Sequence, residues 1–325
     1  MIDKKEVLNK LILISTSILL VVILWGCSSQ DPNFSSKGEI WGIYQLDLKN
    51  DDIQLVYGGE KDIIGLSLDS SGNNLVFSQK DGGEENQFTE IYSYSLAEGN
   101  VRQLTDNEHW DVYPVWSPDG NEIAFLSWRD ESLDIYKMDK DGSNQELVYD
   151  SGYHDADIDW VGDLIVFTQQ SQIWKMNSDG SGAVSITNPP NAGTWGQANL
   201  PFGDYDPRIS PDGKKILFSR MISDESVHGN YDIIMVDLDG SNLINLTNSG
   251  YSQGLSSWSR DGGEILFIRA ASGEIGLYDL YTMESDGTGI ALRNPSFIPD
   301  NFLIHWARYS PDPTRIFLVG QWWHE

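Results

Sequence analysis

Short apolar runs alternate with polar turns along nearly the whole chain, and the runs come in two kinds that follow each other in a fixed order. One is Ile123-Ala124-Phe125, preceded by Trp116-Ser117-Pro118-Asp119-Gly120. The other is Ile135-Tyr136-Lys137-Met138, followed by Asp141-Gly142-Ser143. The runs are rich in Ile, Val, Phe and Tyr, which suit a pleated, half-buried strand. They are bounded by the Gly, Pro, Asp and Ser of tight turns. Nothing after residue 30 carries the period of a long amphipathic helix. The pattern predicts strands.

The Phe that closes the first phrase returns at Phe77, Phe125, Phe167, Phe218, Phe267 and Phe317. A spacing of ~40–50 residues marks radial or stacked repeats. The turn before it carries Gly72, Gly120, Gly162, Gly213 and Gly262, with Pro313 in the last copy. The second phrase starts at Ile43, Ile91, Ile135, Ile173, Ile233 and Leu280. Asp-Gly follows at Asp141-Gly142, Asp179-Gly180, Asp239-Gly240 and Asp286-Gly287, which predicts hairpins with both turn residues at positive φ. Four short strands per repeat make a propeller blade. The chain opens on a second phrase, Ile43 to Tyr57, and closes on a first phrase, Tyr309 to Val319. These halves complete one blade. The expected fold is all-β: a six-bladed β-propeller of four-stranded blades. Its ring is closed by N-terminal outer strands pairing with C-terminal inner strands, which leaves no open edge.

The N-terminus breaks the pattern. Lys4, Lys5 and Lys10 flank an apolar run from Leu11 to Trp25 that suits a secretory signal. The run ends at Leu24-Trp25-Gly26-Cys27, which resembles a bacterial lipobox. Cys27 is the only cysteine in the chain, so it has no intramolecular disulfide partner. The resemblance implies a lipidated Cys27. The expected division is a lipoprotein signal peptide over 1–26, the lipidated Cys and a polar tether over 27–38, and the propeller over 39–325. Cys27 is then the one membrane contact of an exported, lipid-anchored envelope protein. In a Gram-negative cell that means the outer membrane.

Charge narrows the partners. With 49 acidic and 21 basic residues the formal net charge is −28, which repels nucleic acid and anionic lipid. Many of the acids are the repeated turn Asp residues, so the charge reads first as a soluble, self-repelling surface of a monomeric propeller.

The two-part phrase resembles the WD40-like PD40 repeat of TolB-type six-bladed propellers. Trp116 to Gly120 with Ile123 to Phe125, and Ile135-Tyr136 through Asp141-Gly142-Ser143, carry the resemblance. So do the endings Leu104-Thr105, Ile186-Thr187 and Leu246-Thr247. It covers roughly residues 39–320 and is specific for fold rather than function. Related propellers serve as periplasmic scaffolds, as gating domains of peptidases and as polysaccharide-processing proteins. TolB carries a further N-terminal α/β domain, for which the stretch before Ile40 leaves no room, so a role different from TolB's is expected.

Candidate chemistry lies where the copies diverge. Aligned on Trp116, the loops between blades place Asp111, Asp155 and Asp204 at one position, with His109, Trp110, Tyr153, His154 and Tyr205 beside them. Arg129, Arg220 and Arg269 fall in the loops joining second and third strands, on the same face. Three readings stay open. The Asp residues cap their strands; or the rim takes an envelope protein or a glycan; or Asp111, Asp155 and Asp204 hold Ca²⁺ at the channel mouth. No cofactor is otherwise implied. Gly250-Tyr251-Ser252-Gln253-Gly254 fits the Gly-x-Ser-x-Gly pattern, but it falls in an inter-blade loop rather than between a strand and a helix. The five His residues show no ligand spacing for zinc. The expected function is a non-catalytic protein-interaction or ligand-binding scaffold. The alternative is a polysaccharide lyase, hydrolase-like or glycan-binding propeller, with His109 or His154 as base and Arg129 against a uronate.

Overall fold

A computed structural model of the chain describes residues 38–59, 61–81, 88–225, 229–270, 278–294 and 302–324. The signal segment, Cys27 and His228 lie outside these residues. The chain opens with β1 (Gly38–Asp47) and β2 (Asp52–Gly59). Five blades follow, each of four strands in chain order. The first holds β3 (Ile63–Leu68), β4 (Asn74–Asp81), β5 (Phe88–Ser95) and β6 (Asn100–Gln103). The second holds β7 (Asp111–Trp116), β8 (Glu122–Ser127), β9 (Asp134–Asp139) and β10 (Glu146–Tyr149). The third holds β11 (Asp155–Val161), β12 (Leu164–Gln169), β13 (Gln172–Asn177) and β14 (Val184–Ser185). The fourth holds β15 (Asp204–Ile209), β16 (Lys215–Ser223), β17 (Asn230–Asp237) and β18 (Ile244–Asn245). The fifth holds β19 (Gln253–Trp258), β20 (Glu264–Ala270), β21 (Tyr278–Glu284) and β22 (Ala291–Leu292). β23 (Phe302–Tyr309) and β24 (Arg315–His324) end the chain.

The sixth sheet runs β2-β1-β24-β23. β1 pairs antiparallel with β24 without a break, from Gly38 opposite His324 to Asp47 opposite Arg315. The two chain ends thus share a blade, and the fold is the expected all-β six-bladed propeller.

The repeated Phe explains how blades adhere. Phe77, Phe125, Phe167, Phe218, Phe267 and Phe317 are all fully buried. Each packs into the blade before it: Phe125 against Val76 and Ile91, and Phe218 against Val166 and Ile173. Phe77 joins Ile43 and Leu318 of the shared blade. The Leu-Thr endings tie each outer strand back, with Thr105, Thr187 and Thr247 accepting the amide protons of Ile91, Ile173 and Ile233 at 2.8, 3.0 and 3.0 Å.

The Ser-Pro-Asp turns use their polar atoms locally. Ser117 Oγ donates to Asp119 Oδ1 at 2.7 Å, and both oxygens accept from the amide of Asn121. Hydrogen bonds from Ser117 and Asn121 hold the Asp119 carboxyl down at about 2. The same bonding recurs around Asp212 and Asp261. Much of the acidity read from composition therefore serves turn structure.

The Asp-Gly turns differ from expectation. Gly142, Gly180, Gly240 and Gly287 have φ of +84 to +87, but their Asp partners stay outside the left-handed region. Gly142 N donates to Asp139 O at 2.8 Å, and Asp139 N to Ser143 O at 2.9 Å. These are three-residue connections, a type I turn followed by a left-handed Gly, which still match strand twist. A second constraint adds to φ. A Cβ on Gly180 would lie 2.2 Å from Val148 O of the preceding blade. Gly180→Ala is therefore expected to destabilise by about 2 kcal/mol, read as a lower urea midpoint.

Candidate functional site

Asp111, Asp155 and Asp204 are the first residues of β7, β11 and β15, and all are fully buried. Asp111 accepts from Ser127 Oγ at 2.5 Å, Asn107 Nδ2 at 2.8 Å and Arg129 Nη2 at 3.0 Å. Asp204 takes Arg220 in a two-pronged bond, at 2.6 Å to Nε and 2.8 Å to Nη2. Asp155 has no guanidinium. Ser151 Oγ donates to Oδ1 at 3.0 Å, while Oδ2 has no partner. Burial first, then the charges of Asp134 and Asp150, push Asp155 up to about 8. Burial also raises Asp204, against the pull of Arg220. Among the described residues no group of three His, Cys, Asp or Glu is placed to hold a metal ion, so the three Asp side chains are not brought together.

The remaining rim residues are also engaged. Arg129 lies over the Tyr136 ring at 5.0 Å, and Arg269 over Tyr251 at 3.8 Å. Tyr205 is buried and donates to Pro201 O at 2.6 Å. Trp110 is half-buried, whereas Tyr153 is 54% exposed. His109 and His154 flank Trp128, a residue the repeat alignment did not flag. His109 Nδ1 donates to Trp128 O at 3.2 Å, and the His154 ring lies 4.6 Å from the indole. His154 Nδ1 accepts the Leu133 amide proton at 3.0 Å, and burial lowers its pKa. The neutral ring then carries its proton on Nε2, so it offers no free lone pair to a substrate.

A cavity of about 380 Å³ opens at the other end of the channel. It is lined by the later halves of the inner strands and by the Ser-Pro-Asp turns, including Trp116, Trp160, Trp258, Pro118 and Pro311. A repeated β-bulge shapes its floor. Register shifts between Ile64 and Ser67, Val112 and Val115, and Ala156 and Asp159 mark it, and it returns in β15 and β19. Its first residue is left-handed in each: Gly65, Tyr113, Asp157, Asp206 and Leu255, at φ of +51 to +70. Such bulges re-aim side chains. Here they put Asp157 on the cavity wall, with Asp206 beside it. Asp157 Oδ2 accepts the Asp206 amide proton at 3.3 Å. Burial raises both groups, and Asp157's charge raises Asp206 further.

One layer toward the mouth stand Ser67, Val115, Asp159, Arg208, Ser257 and Arg308, all lining the cavity. Ser67 Oγ, Asp159 Oδ2 and Ser257 Oγ accept the amide protons of Trp116, Ile209 and Tyr309 at 3.3, 2.8 and 3.2 Å. These bonds cap the free edge of the next blade's inner strand. Strand and turn spacing alone do not reveal this layer. Its signal was present: the position two before each Ser-Pro-Asp turn changes identity from blade to blade.

Residues 39–196 match the PD40 family, the TolB beta propeller domain. Over these residues the chain carries TolB-like PD40 propeller sequence. An uncharacterized protein of Agrobacterium fabrum is 32% identical over 193 residues, covering 55% of this chain and 61% of the relative. The Tol-Pal system protein TolB of Francisella tularensis subsp. mediasiatica is 24% identical over 252 residues, covering 73% of this chain and 54% of that protein. The chain thus spans only part of the length of these relatives. A putative TolB from Agrobacterium tumefaciens superposes with a TM-score of 0.66 at 18% identity, over 89% of this chain and 99% of that one, which establishes the shared fold.

Proposed function

We propose that this TolB-like propeller is an extracytoplasmic, non-catalytic scaffold, held to the envelope through lipid on Cys27, that binds a partner protein at the Ser-Pro-Asp end of its channel. The observation that carries the reading is the open cavity at that end, walled by Trp116, Trp160 and Trp258 on a closed ring. Aromatic side chains on rigid walls are the usual anchors of protein recognition. The inter-blade end, by contrast, spends most of its charged side chains on bonds within its own blades. Relatives named for the Tol-Pal system support an envelope partner.

A photo-crosslinking amino acid placed at Pro118 in the full-length chain, in cells, is the test. The expected result is a discrete protein adduct from Pro118 and none from Leu147, on the outer strand β10. Cys27→Ser is expected to move the chain from the membrane to the soluble fraction. Equal labelling from both positions, or an unchanged fractionation, would count against the corresponding half of the proposal.

A further inference from the structure

Arg208 and Arg308 come from blades on different sides of the channel, yet both guanidinium groups lie over the one indole of Trp306, at 5.9 and 4.8 Å. Their hydrogen bonds go to neutral carbonyls. Arg208 Nη1 donates to Pro207 O at 2.6 Å and Ile158 O at 3.5 Å. Arg308 Nη1 donates to Ala307 O at 3.1 Å and Ser256 O at 3.2 Å. Among the described residues neither forms a salt bridge, unlike Arg129 and Arg220. Asp157, Asp159 and Asp206 are near enough to feel these charges but do not touch them.

Donors are left over. Arg208 is 6% exposed and its Nε has no partner. The Trp306 indole N–H, 5% exposed, has none either. A guanidinium offers five N–H donors in a planar fork that matches a carboxylate. Two like charges held over one ring, with carboxylates nearby but none in contact, are costly to bury. A carboxylate between them would relieve that cost through charge-assisted hydrogen bonds.

We propose that Arg208 and Arg308, backed by Trp306, form a receptor for a carboxylate carried on a peptide segment of a partner protein that enters from the Ser-Pro-Asp end. The mouth favours a peptide, because Trp160, Trp258, Pro211 and Pro311 wall it with apolar surface beyond the charged layer. The net charge of −28 disfavours acidic ligands in general, so recognition depends on this local pair. The inference rests on the channel mouth being the binding face, but it fails separately from it.

The experiment titrates the full-length chain in neutral detergent with acetyl-Gly-Glu-Gly-amide, its Gln counterpart and acetate, by calorimetry and tryptophan fluorescence. The Glu peptide is expected to saturate, with the Gln peptide at least about tenfold weaker. Arg208→Gln and Arg308→Gln are each expected to weaken the Glu peptide about tenfold. Equal binding of the Glu and Gln peptides overturns the proposal. So does an unchanged affinity in both variants. Acetate binding as tightly as the Glu peptide overturns the peptide assignment and leaves a small-anion site. If Arg308→Gln fails to fold, the Glu and Gln comparison on the unaltered chain still decides. Peptide binding without any crosslinked adduct at Pro118 would remove the partner reading and keep the anion site.

Discussion

A chain that lacks β1 and β2 is expected to lose cooperative unfolding and to aggregate. Pairing with β1 covers the whole of β24, so its removal bares a ten-residue edge. That edge belongs to a strand whose Ile316, Phe317, Leu318 and Val319 are at most 1% exposed in the intact ring. An unpaired, apolar edge of this length is a template for another chain. Deletion also removes Ile43, Tyr44 and Leu46 from the cluster that holds Phe77 and Phe317, so two blade contacts weaken together. Size-exclusion chromatography with light scattering and near-ultraviolet circular dichroism report the outcome. Adding residues 38–59 as a separate peptide is expected to restore a monomer with a sharp transition. A truncated chain that remains monomeric and melts sharply would show that closure by β1 is dispensable.

The second large effect separates two carboxylates that occupy the same position in neighbouring blades. Asp204→Asn is expected to cost about 3–5 kcal/mol, because it leaves the Arg220 guanidinium, 18% exposed, without its counter-charge. Asp155→Asn is expected to do the opposite. With its carboxyl raised to about 8, the folded chain binds a proton that the unfolded chain releases near pH ~4. The folded state therefore holds more protons across that interval, and stability falls as pH rises from about 4 through about 8. By pH 7 the loss is on the order of 4 kcal/mol, and replacing the acid with an amide removes it. Gln169 gives this reading a partner: it faces Asp155 across the ladder, and its Oε1 is buried without a donor. A protonated carboxyl or an introduced amide can each donate to it. Urea unfolding at about pH 5 and about pH 8.5 reads both substitutions. If the unaltered chain and Asp155→Asn fall equally over that range, Asp155 is already ionised and the burial argument fails.

The contrast between Asp155 and Asp204 also shows where sequence reasoning stops. The alignment on Trp116 placed Asp111, Asp155 and Asp204 in register, and the structure puts all three at the start of an inner strand. It could not say that two meet an Arg and one does not. Arg220 pairs directly across from Asp204, but Arg129 reaches Asp111 from beyond the end of β8, whose Ser127 is the cross-strand neighbour. Long side chains cross the ladder in ways that strand spacing does not encode. The Asp-Gly turns teach the same point at smaller scale. Their position is legible, while the carbonyl of the preceding blade that closes the space beside each Gly is not.

What the sequence determined alone was the repeat, the strand content, the number of blades and the permuted closure. Each follows from local chemistry: turn residues at fixed offsets, apolar runs of strand length, and a Phe that must be buried in every copy. What only the tertiary structure decided was which end of the channel opens and which side chains share it. The whole fifth blade lies between Arg208 and Arg308 in the sequence, and only the arrangement of inner strands around the channel brings both over Trp306. The bulges that bring Asp157 and Asp206 together across neighbouring blades are likewise visible only in the folded ring.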